Sequence, residues 1–340
     1  MGMLSWMWHR NTAVPAAASD EVRDAVERIV KLHPQLRLVG QYEAHLARAV
    51  SVSLQYVEGL VESLPPAREA SAAAWSSDAC IHAFFTAPDD VAPALSRSTD
   101  LQHFFDECPA AGEVFAVLGM AMTERRAPGA KQVGLEVRSD VMRTTVSFGD
   151  YQVRVCGLTE TLLRREIVRR VLDQLALEGL SHVEADTARR DALQQERALL
   201  KARMQLLERG GVGMRQVMGS GTTPDLAERA KIQSLMDENE RSLADLGLQT
   251  DALQRELQLI CDVLADPASH LDVTRKRLRL NAMNVVLEDN DPAKGEEIEF
   301  RLARLPADPG TWRAFALVRF SRADLLPPAS MHEETRHLVI

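Results

Sequence analysis

The stretch Glu208–Leu226, ERGGVGMRQVMGSGTTPDL, separates two long segments with helical periodicity and constrains the fold more than any other part of the chain. Before it, apolar residues recur at helical spacing from Leu163 to Leu207. After it, from Ile232 to Leu264, a 3–4 alternation is sustained over about five heptads, which is typical of a coiled coil. The glycine-rich stretch is therefore either the bend between two helical arms or a loop that binds a ligand.

A phosphate-binding loop does not fit this stretch. The P-loop pattern G-x-x-x-x-G-K-[ST] needs a lysine, and the chain has none between Lys201 and Lys231. The dinucleotide pattern G-x-G-x-x-G fails because Gln216 stands where its last glycine is required. A helix also leads into the stretch, whereas both patterns follow a strand. We therefore predict an antiparallel coiled-coil hairpin over residues 159–266, with its tip near residues 210–223.

The arms of this hairpin carry signals for their starts and their register. Thr159 is the predicted N-cap of the first arm, in which Gly179 is expected to cause a kink, and Thr223 caps the second arm ahead of Pro224. Asn239 falls on the apolar seam, where a polar side chain can fix the pairing register. Folding the chain near Val217 places Leu200 opposite Gln233 and Val183 opposite Thr250. Apolar residues of the tip either pack on the arms or contact a partner, and the candidate partner contacts are Val212, Met214, Val217 and Met218.

The segments before the hairpin predict helices and then strands. Residues 1–18 are expected to be flexible, and residues 19–126 to form a helical bundle. This bundle includes a helix capped by Ser19, a long helix over 36–64 and a last helix over Glu113–Arg126. Its boundary is the sequence APGA, Ala127–Ala130. Residues 131–157 then predict a three-stranded meander in which Gly149-Asp150 is a hairpin turn.

A second meander is predicted after the hairpin, over residues 272–321, followed by a mobile tail over 327–340. Its strands lie around Leu278–Leu280, Ile298–Leu302 and Trp312–Phe320. Since a lone three-stranded meander is marginally stable, the two meanders are expected to join in one composite sheet or to pack face to face. The fold class is thus α+β and mostly helical: an N-terminal helical bundle, and a small antiparallel β-domain built from two meanders with the coiled-coil hairpin inserted between them.

Composition limits the classes of function. The chain of 340 residues has a net charge of −9, so it is not a default binder of nucleic acid. Its four cysteines are scattered, which indicates reduced thiols in a cytoplasmic protein. The longest apolar run, Val114–Met122, is too short to cross a membrane. The N-terminal Trp6 and Trp8 either touch a membrane surface or pack on the protein itself, and we favour packing.

Two groups of residues are candidates for chemistry. Cys80, His82, His103 and Cys108 read as C-x-H…H-x₄-C, but this spacing departs from that of structural zinc sites, and no metal or cofactor is predicted. His103 and Glu107 are four residues apart and could form an acid–base pair. In TRKRLRL, a strand would align three arginines on one face as a candidate anion contact, unless glutamates on neighbouring strands pair with them. These arginines are Arg275, Arg277 and Arg279.

The architecture favours a non-catalytic cytoplasmic scaffold or assembly protein that acts through the hairpin. Its expected partners are proteins, and a homo-oligomer is also compatible with the pattern. The first alternative is an anion- or nucleic-acid-binding module that uses the arginine-rich sheet face. The second alternative is an enzyme or metal site centred on His82 and His103.

Overall fold

The structure is a computed structural model that describes residues 20–133, 136–218, 224–247, 251–288, 291, 293–305 and 308–327. Within these ranges only the backbone is described over 129–133, 136–141, 209–218, 224–226, 305 and 308–311. The chain divides into two units. The helical unit comprises Met1–Gln55 and Leu172–Pro267, and the sheet unit comprises Tyr56–Val171 and Ala268–Ile340.

The helical unit contains long helices. Amphipathic spacing accounts for α1 (Asp20–Leu32), whose valines and isoleucine are buried every three or four residues. The predicted helix over 36–64 is replaced by a short 3₁₀ helix and a later α-helix, because Gln41 has a left-handed φ of 59° between them. The elements are α1 (Asp20–Leu32), the 3₁₀ helix Pro34–Leu38, α2 (Tyr42–Glu62), α7 (Glu160–Met218), α8 (Pro224–Asp245) and α9 (Ala252–Ala265), of which α2 and α7 contribute residues to both units.

Helix α7 runs without interruption over 59 residues. Its predicted N-cap is confirmed, because Thr159 Oγ1 accepts a hydrogen bond from the backbone N–H of Leu162 at 3.2 Å. Gly179, where a kink was predicted, lies within this single helix, and the structure gives another reason for a glycine there. A Cβ atom placed there would lie 2.9 Å from the Cα of Ile260 on α9, so the glycine permits close approach of the two helices.

The second arm of the predicted hairpin is two helices, and the prediction of a single helix through residue 266 was wrong. Helix α8 ends at Asp245, and Gly247 follows with a left-handed φ of 73°. The guanidinium of Arg190 on α7 donates to the carbonyl oxygens of Leu246 at 2.7 Å and Gly247 at 3.3 Å. The break is stable because a glycine adopts the required backbone and an arginine satisfies carbonyls that the helix leaves unpaired.

The sheet unit is built on six strands, and among the described residues five of them follow the order β3-β2-β6-β5-β4 with antiparallel pairing. The short β1 pairs with β6 in parallel. Leu118 of β2 is opposite Ala316 of β6, so strands from before and after the hairpin segment share one sheet, as the composite-sheet prediction required. The strands are β1 (Arg68–Glu69), β2 (Glu113–Val133), β3 (Glu136–Gly157), β4 (Val273–Leu280), β5 (Glu296–Leu305) and β6 (Asp308–Ser321).

Short helices α3 (Ala72–Trp75), α4 (Ala79–Phe84), α5 (Val91–Ser96) and α6 (Thr99–Glu107) contribute side chains to the core of this sheet, and α10 (Pro267–His270) precedes β4. Three phenylalanines from different elements meet edge to face in that core. The ring of Phe84 lies 5.0 Å from Phe148 and 6.2 Å from Phe300, measured between centroids. This geometry is the preferred one for aromatic pairs and adds to the stability from apolar burial.

The predicted helix over Glu113–Arg126 was wrong, because these residues form the first part of β2. The buried residues alternate strictly along the chain, as in a strand that faces a core on one side. The boundary expected at Ala127–Ala130 consequently lies inside the strand. The predicted helical bundle therefore loses its last helix, and its residues from Tyr56 onwards belong to the sheet unit. The alternating buried residues are Val114, Ala116, Leu118 and Met120.

Gly149-Asp150 is not a hairpin turn, and the first meander is two long strands rather than three short ones. The pair lies within β3, where two residues of that strand are opposite one residue of β2 and the register shifts. Asp150 has a left-handed φ of 47° at this β-bulge. Its carboxylate accepts a hydrogen bond from Arg313 at 2.7 Å, which lowers the pKa of Asp150. Gly149-Asp150, a pair suited to positive φ, thus forms a β-bulge, which is stabilised by the hydrogen bond from Arg313 on β6.

Candidate functional site

The main candidate for an interaction element lies in the helical unit, where α7 and α8 contact each other in antiparallel order. The contacts connect earlier residues of α7 to later residues of α8. They are centred near Val217, the fold point expected from the sequence. The contacts are Arg203 with Glu228 at 2.6 Å, Arg197 with Glu240 at 3.1 Å, and Arg190 with the carbonyl oxygen of Leu246 at 2.7 Å.

Apolar and polar residues together make the contact between these two helices. Leu200 of α7 and Ile232 of α8 are buried. Asn239 of α8 is only 3% exposed, and its Nδ2 donates to the carbonyl oxygen of Leu193 and to Glu196 Oε2, each at 3.0 Å. Its Oδ1 is buried and accepts no hydrogen bond from the residues that the structure describes. A buried polar group placed in this way favours one register over others at a cost in stability.

The candidate partner contacts at the tip fall in the last turns of α7. The backbone is helical through Met218, so the first glycines of the stretch do not begin the bend. The side chains of Val212, Met214, Val217 and Met218 lie outside the described residues. Partner contact through these four residues stays a prediction.

A second surface on this helix was missed by the sequence analysis. We define the outer face of α7 as seven residues with 3–4 spacing, each of which is exposed. Leu199 is 70% exposed and Leu206 is 69% exposed on this face. The signal was present in the sequence as a second heptad series, offset from the buried Leu200 series by one residue, or about 100° around the helix. The seven residues are Ala185, Ala188, Ala192, Gln195, Leu199, Ala202 and Leu206.

The candidate anion contacts on β4 are held by partners within the sheet unit. Arg275 pairs with Glu299, and Arg277 Nε donates to the same carboxylate at 2.9 Å. The buried Arg301 donates to Glu299 Oε1 at 2.8 Å. Arg279 donates to backbone carbonyl oxygens of the β4–β5 connection.

Glu299 is thus the centre of a cluster of arginines on neighbouring strands. The hydrogen bond from Arg301, followed by that from Arg277, lowers the pKa of Glu299, so the carboxylate stays charged and balances part of the positive charge. This is the cross-strand pairing that the sequence offered as the alternative to ligand binding. Anion binding by this face stays a prediction.

His82 lines a half-open cavity of about 370 Å³ in the sheet unit. Its ring lies 4.2 Å from that of Trp75, and its Nε2 is 3.2 Å from the carbonyl oxygen of Ala282. The volume is within the range of small-molecule pockets. Its charged lining groups are already engaged or exposed: Asp78 accepts from Arg68 and from the first N–H groups of α4, while Lys294 and Glu296 are exposed. Among the described residues that line this cavity, the charged groups do not form a convergent catalytic set.

The residues considered for zinc have separate surroundings. The Cys80 thiol is buried and donates to the carbonyl oxygen of Glu299 at 3.8 Å, and burial raises its pKa. His103 is exposed on α6, 3.8 Å from Glu107, as an ordinary surface pair. Within the described part of the chain, no three His, Cys, Asp or Glu side chains form a group that could hold a metal ion. His103 is not among the residues that line the cavity at His82, so the structure does not bring the two histidines into one site.

Comparison with known proteins adds no assignment to this geometry. No family model, curated protein or solved structure matches the chain. Of the helices described, none combines the length and the apolar character needed to cross a membrane. A functional hypothesis therefore depends on the residues and contacts of this chain alone.

Proposed function

We propose that this protein is a non-catalytic assembly protein and that an antiparallel coiled-coil hairpin, formed by α7 with α8 and α9, is its interaction element. The observation that carries the proposal is the antiparallel contact between α7 and α8, in which Asn239 is buried. A seam that selects its own register is useful where a surface must be presented in one fixed geometry.

The amount of exposed surface on the hairpin supports the same proposal. Between Leu193 and Glu208 of α7, Leu200 is the buried residue, and most of the others are exposed. Helices with so few buried residues contribute little to a core, yet α7 and α8 are among the longest described helices of the chain. Leucines exposed at regular spacing on such helices mark a surface for contact with protein.

The proposal predicts that partner proteins are lost when the hairpin end is changed. In the test variant a short turn replaces Gly210–Gly221, which leaves the described contacts of α7 with α8 in place. Native pull-downs of the intact chain and of this variant are compared by quantitative mass spectrometry. We expect at least about a tenfold loss of specific partners, corresponding to about 1.4 kcal/mol of binding free energy.

The matched control is the double variant Arg275→Gln with Arg277→Gln, which changes the arginine-rich sheet face and leaves the hairpin intact. We expect it to capture the same proteins as the intact chain. Equal capture by the intact chain and the variant with the replaced Gly210–Gly221 segment would contradict the proposal. Loss of capture in the arginine variant alone would support the anion-binding alternative instead.

A further inference from the structure

We infer that the outer face of α7 binds the same face of a second copy of this chain, with the two helices antiparallel. This inference rests on the proposed function, because it identifies one partner of the hairpin. It adds a surface that is separate from the tip and from the α7–α8 contact. The surface is the face defined by Ala185 to Leu206.

The first support is the spacing of this face and its exposure. Its members follow one another at steps of three and four residues, the repeat by which helices pair in coiled coils. Leu199 and Leu206 are about as exposed as Leu38, which is 77% exposed, and far more so than Leu200 on the inner face. Among the described residues, α7 therefore carries one seam that is filled by α8 and a second seam that no other element covers.

The second support is the fit of the face to its own copy. An antiparallel arrangement that sets Ala192 opposite Gln195 of the second copy also sets Leu199 opposite Ala188. Gln195 and Leu199 then each face an alanine, so the helices can approach closely without crowding. Because both copies use one patch, the contact is closed by twofold symmetry and stops at a dimer.

The third support is charge complementarity, which selects the antiparallel orientation. Flanking positions of antiparallel helices pair with the same class of position on the other helix, so Arg189 of each copy faces Glu196 of the other. Glu196 already accepts Asn239 through Oε2, and a carboxylate can accept further hydrogen bonds. A parallel arrangement would instead place Asp191 of each copy beside Glu196 of the other, which is repulsive.

The experiment is analytical ultracentrifugation of the full chain over a wide range of concentrations. We expect a reversible dimer, and we expect the double variant Leu199→Glu with Leu206→Glu to raise the dimer Kd at least about 100-fold. Leu38→Glu is the matched control in the helical unit and should leave the Kd unchanged. Circular dichroism checks that each variant is folded. A chain that stays monomeric throughout, or a dimer that the double variant does not weaken, would overturn the inference.

Orientation is tested by disulfide trapping between separately purified variants. The antiparallel register places residue 185 opposite residue 202 of the other copy. A mixture of Ala185→Cys and Ala202→Cys chains should therefore form the mixed disulfide after mild oxidation, identified by peptide mapping. Disulfides between two Ala185→Cys chains, without the mixed product, would show parallel pairing and overturn the inference.

These outcomes are distinct from failure of the proposed function. The variant with the replaced Gly210–Gly221 segment keeps the outer face and should still dimerise. If that variant dimerises and also captures the same proteins as the intact chain, the tip proposal fails while the outer-face inference stands. If dimerisation is absent but the tip variant loses its partners, the inference fails and the proposed function stands.

Discussion

The sheet unit and the helical unit bury side chains in different ways. In the sheet unit, phenylalanines from α4, β3 and β5 meet edge to face in one apolar core. Where α7 meets α8, a few apolar residues alternate with Asn239, Arg190 and ion pairs. Apolar burial supplies most of the free energy of folding but is non-directional, whereas polar contacts to a specific carbonyl fix geometry. The comparison indicates that the sheet unit stabilises the fold and that the α7–α8 contact specifies an arrangement.

The largest expected effect is on the aromatic core. Phe300 is 1% exposed and touches Phe84 and Phe148, so Phe300→Ala should lower the free energy of unfolding by about 3–5 kcal/mol. Leu200→Ala in the α7–α8 contact should cost less, and Leu199→Ala on the outer face should stay within about 0.5 kcal/mol at protein concentrations below the dimer Kd. Urea unfolding followed by circular dichroism measures all three. A cost for Leu200→Ala equal to that of Phe300→Ala would remove the contrast between the units.

The next effect concerns the break between α8 and α9. Arg190→Ala leaves the carbonyl oxygens of Leu246 and Gly247 without their charged donor, and we expect a loss of about 1.5–3 kcal/mol. Arg189→Ala is the neighbouring control on the exposed side of α7 and should have little effect at protein concentrations below the dimer Kd. Hydrogen exchange should locate the destabilisation near residues 242–247. Equal stability of the two variants would show that Arg190 does not hold this helix end.

A smaller effect, of opposite sign, is expected at the polar residue of the seam. Asn239→Leu removes a buried Oδ1 that accepts no hydrogen bond, so we expect a gain of about 1 kcal/mol. The gain should come with loss of the single register, measured as extra distances between spin labels on α7 and α8. Destabilisation together with one preserved register would show that the bonds of Asn239 to Leu193 and Glu196 outweigh its burial.

The effect that is smallest at neutral pH compares the two units through one thiol each. Burial raises the pKa of Cys156 in the sheet unit to about 12 and that of Cys261 in the helical unit to about 11. Both thiols stay protonated in the folded chain while the unfolded thiols ionise above about pH 8.5, so the folded state binds more protons and stability falls as pH rises. Denaturant midpoints from pH 8 to 10.5 should decline less steeply in Cys156→Ala and Cys261→Ala. Unchanged slopes would contradict the burial argument.

Local patterns predicted much of the helical unit and of the C-terminal strands. The Thr159 cap, the fold point near Val217 and the placement of Asn239 follow from 3–4 periodicity and from residue types, which act within a few positions of the chain. The predicted caps Ser19 and Thr223 lie outside the described residues. The three strands after residue 272 were also predicted, because turn residues separate short apolar segments there. The outer face of α7 also follows from 3–4 periodicity, but the sequence analysis did not assign Leu199 and Leu206 to a helix face.

The errors have a common cause, which is competition from distant parts of the chain. The apolar run from Val114 to Met122 is compatible with a helix or a strand, and pairing of Leu118 with Ala316 on β6 decides for the strand. Gly149-Asp150 suits a turn as well as a bulge, and Arg313 on β6 holds it as a bulge. The pairing partners lie more than 160 residues away, so no local window contains the deciding information.

The sequence by itself determined that two heptad-patterned arms flank the glycine-rich stretch and that strands lie on both sides of them, because periodicity is a local property of the chain. Tertiary structure alone decided that those strands share one sheet. It also decided that the second arm breaks at Gly247, where Arg190 donates hydrogen bonds to the helix end, and that Glu299 pairs with arginines of both β4 and β5. These outcomes depend on which groups meet across long separations, and hydrogen bonds and charges are satisfied only when the whole chain has folded.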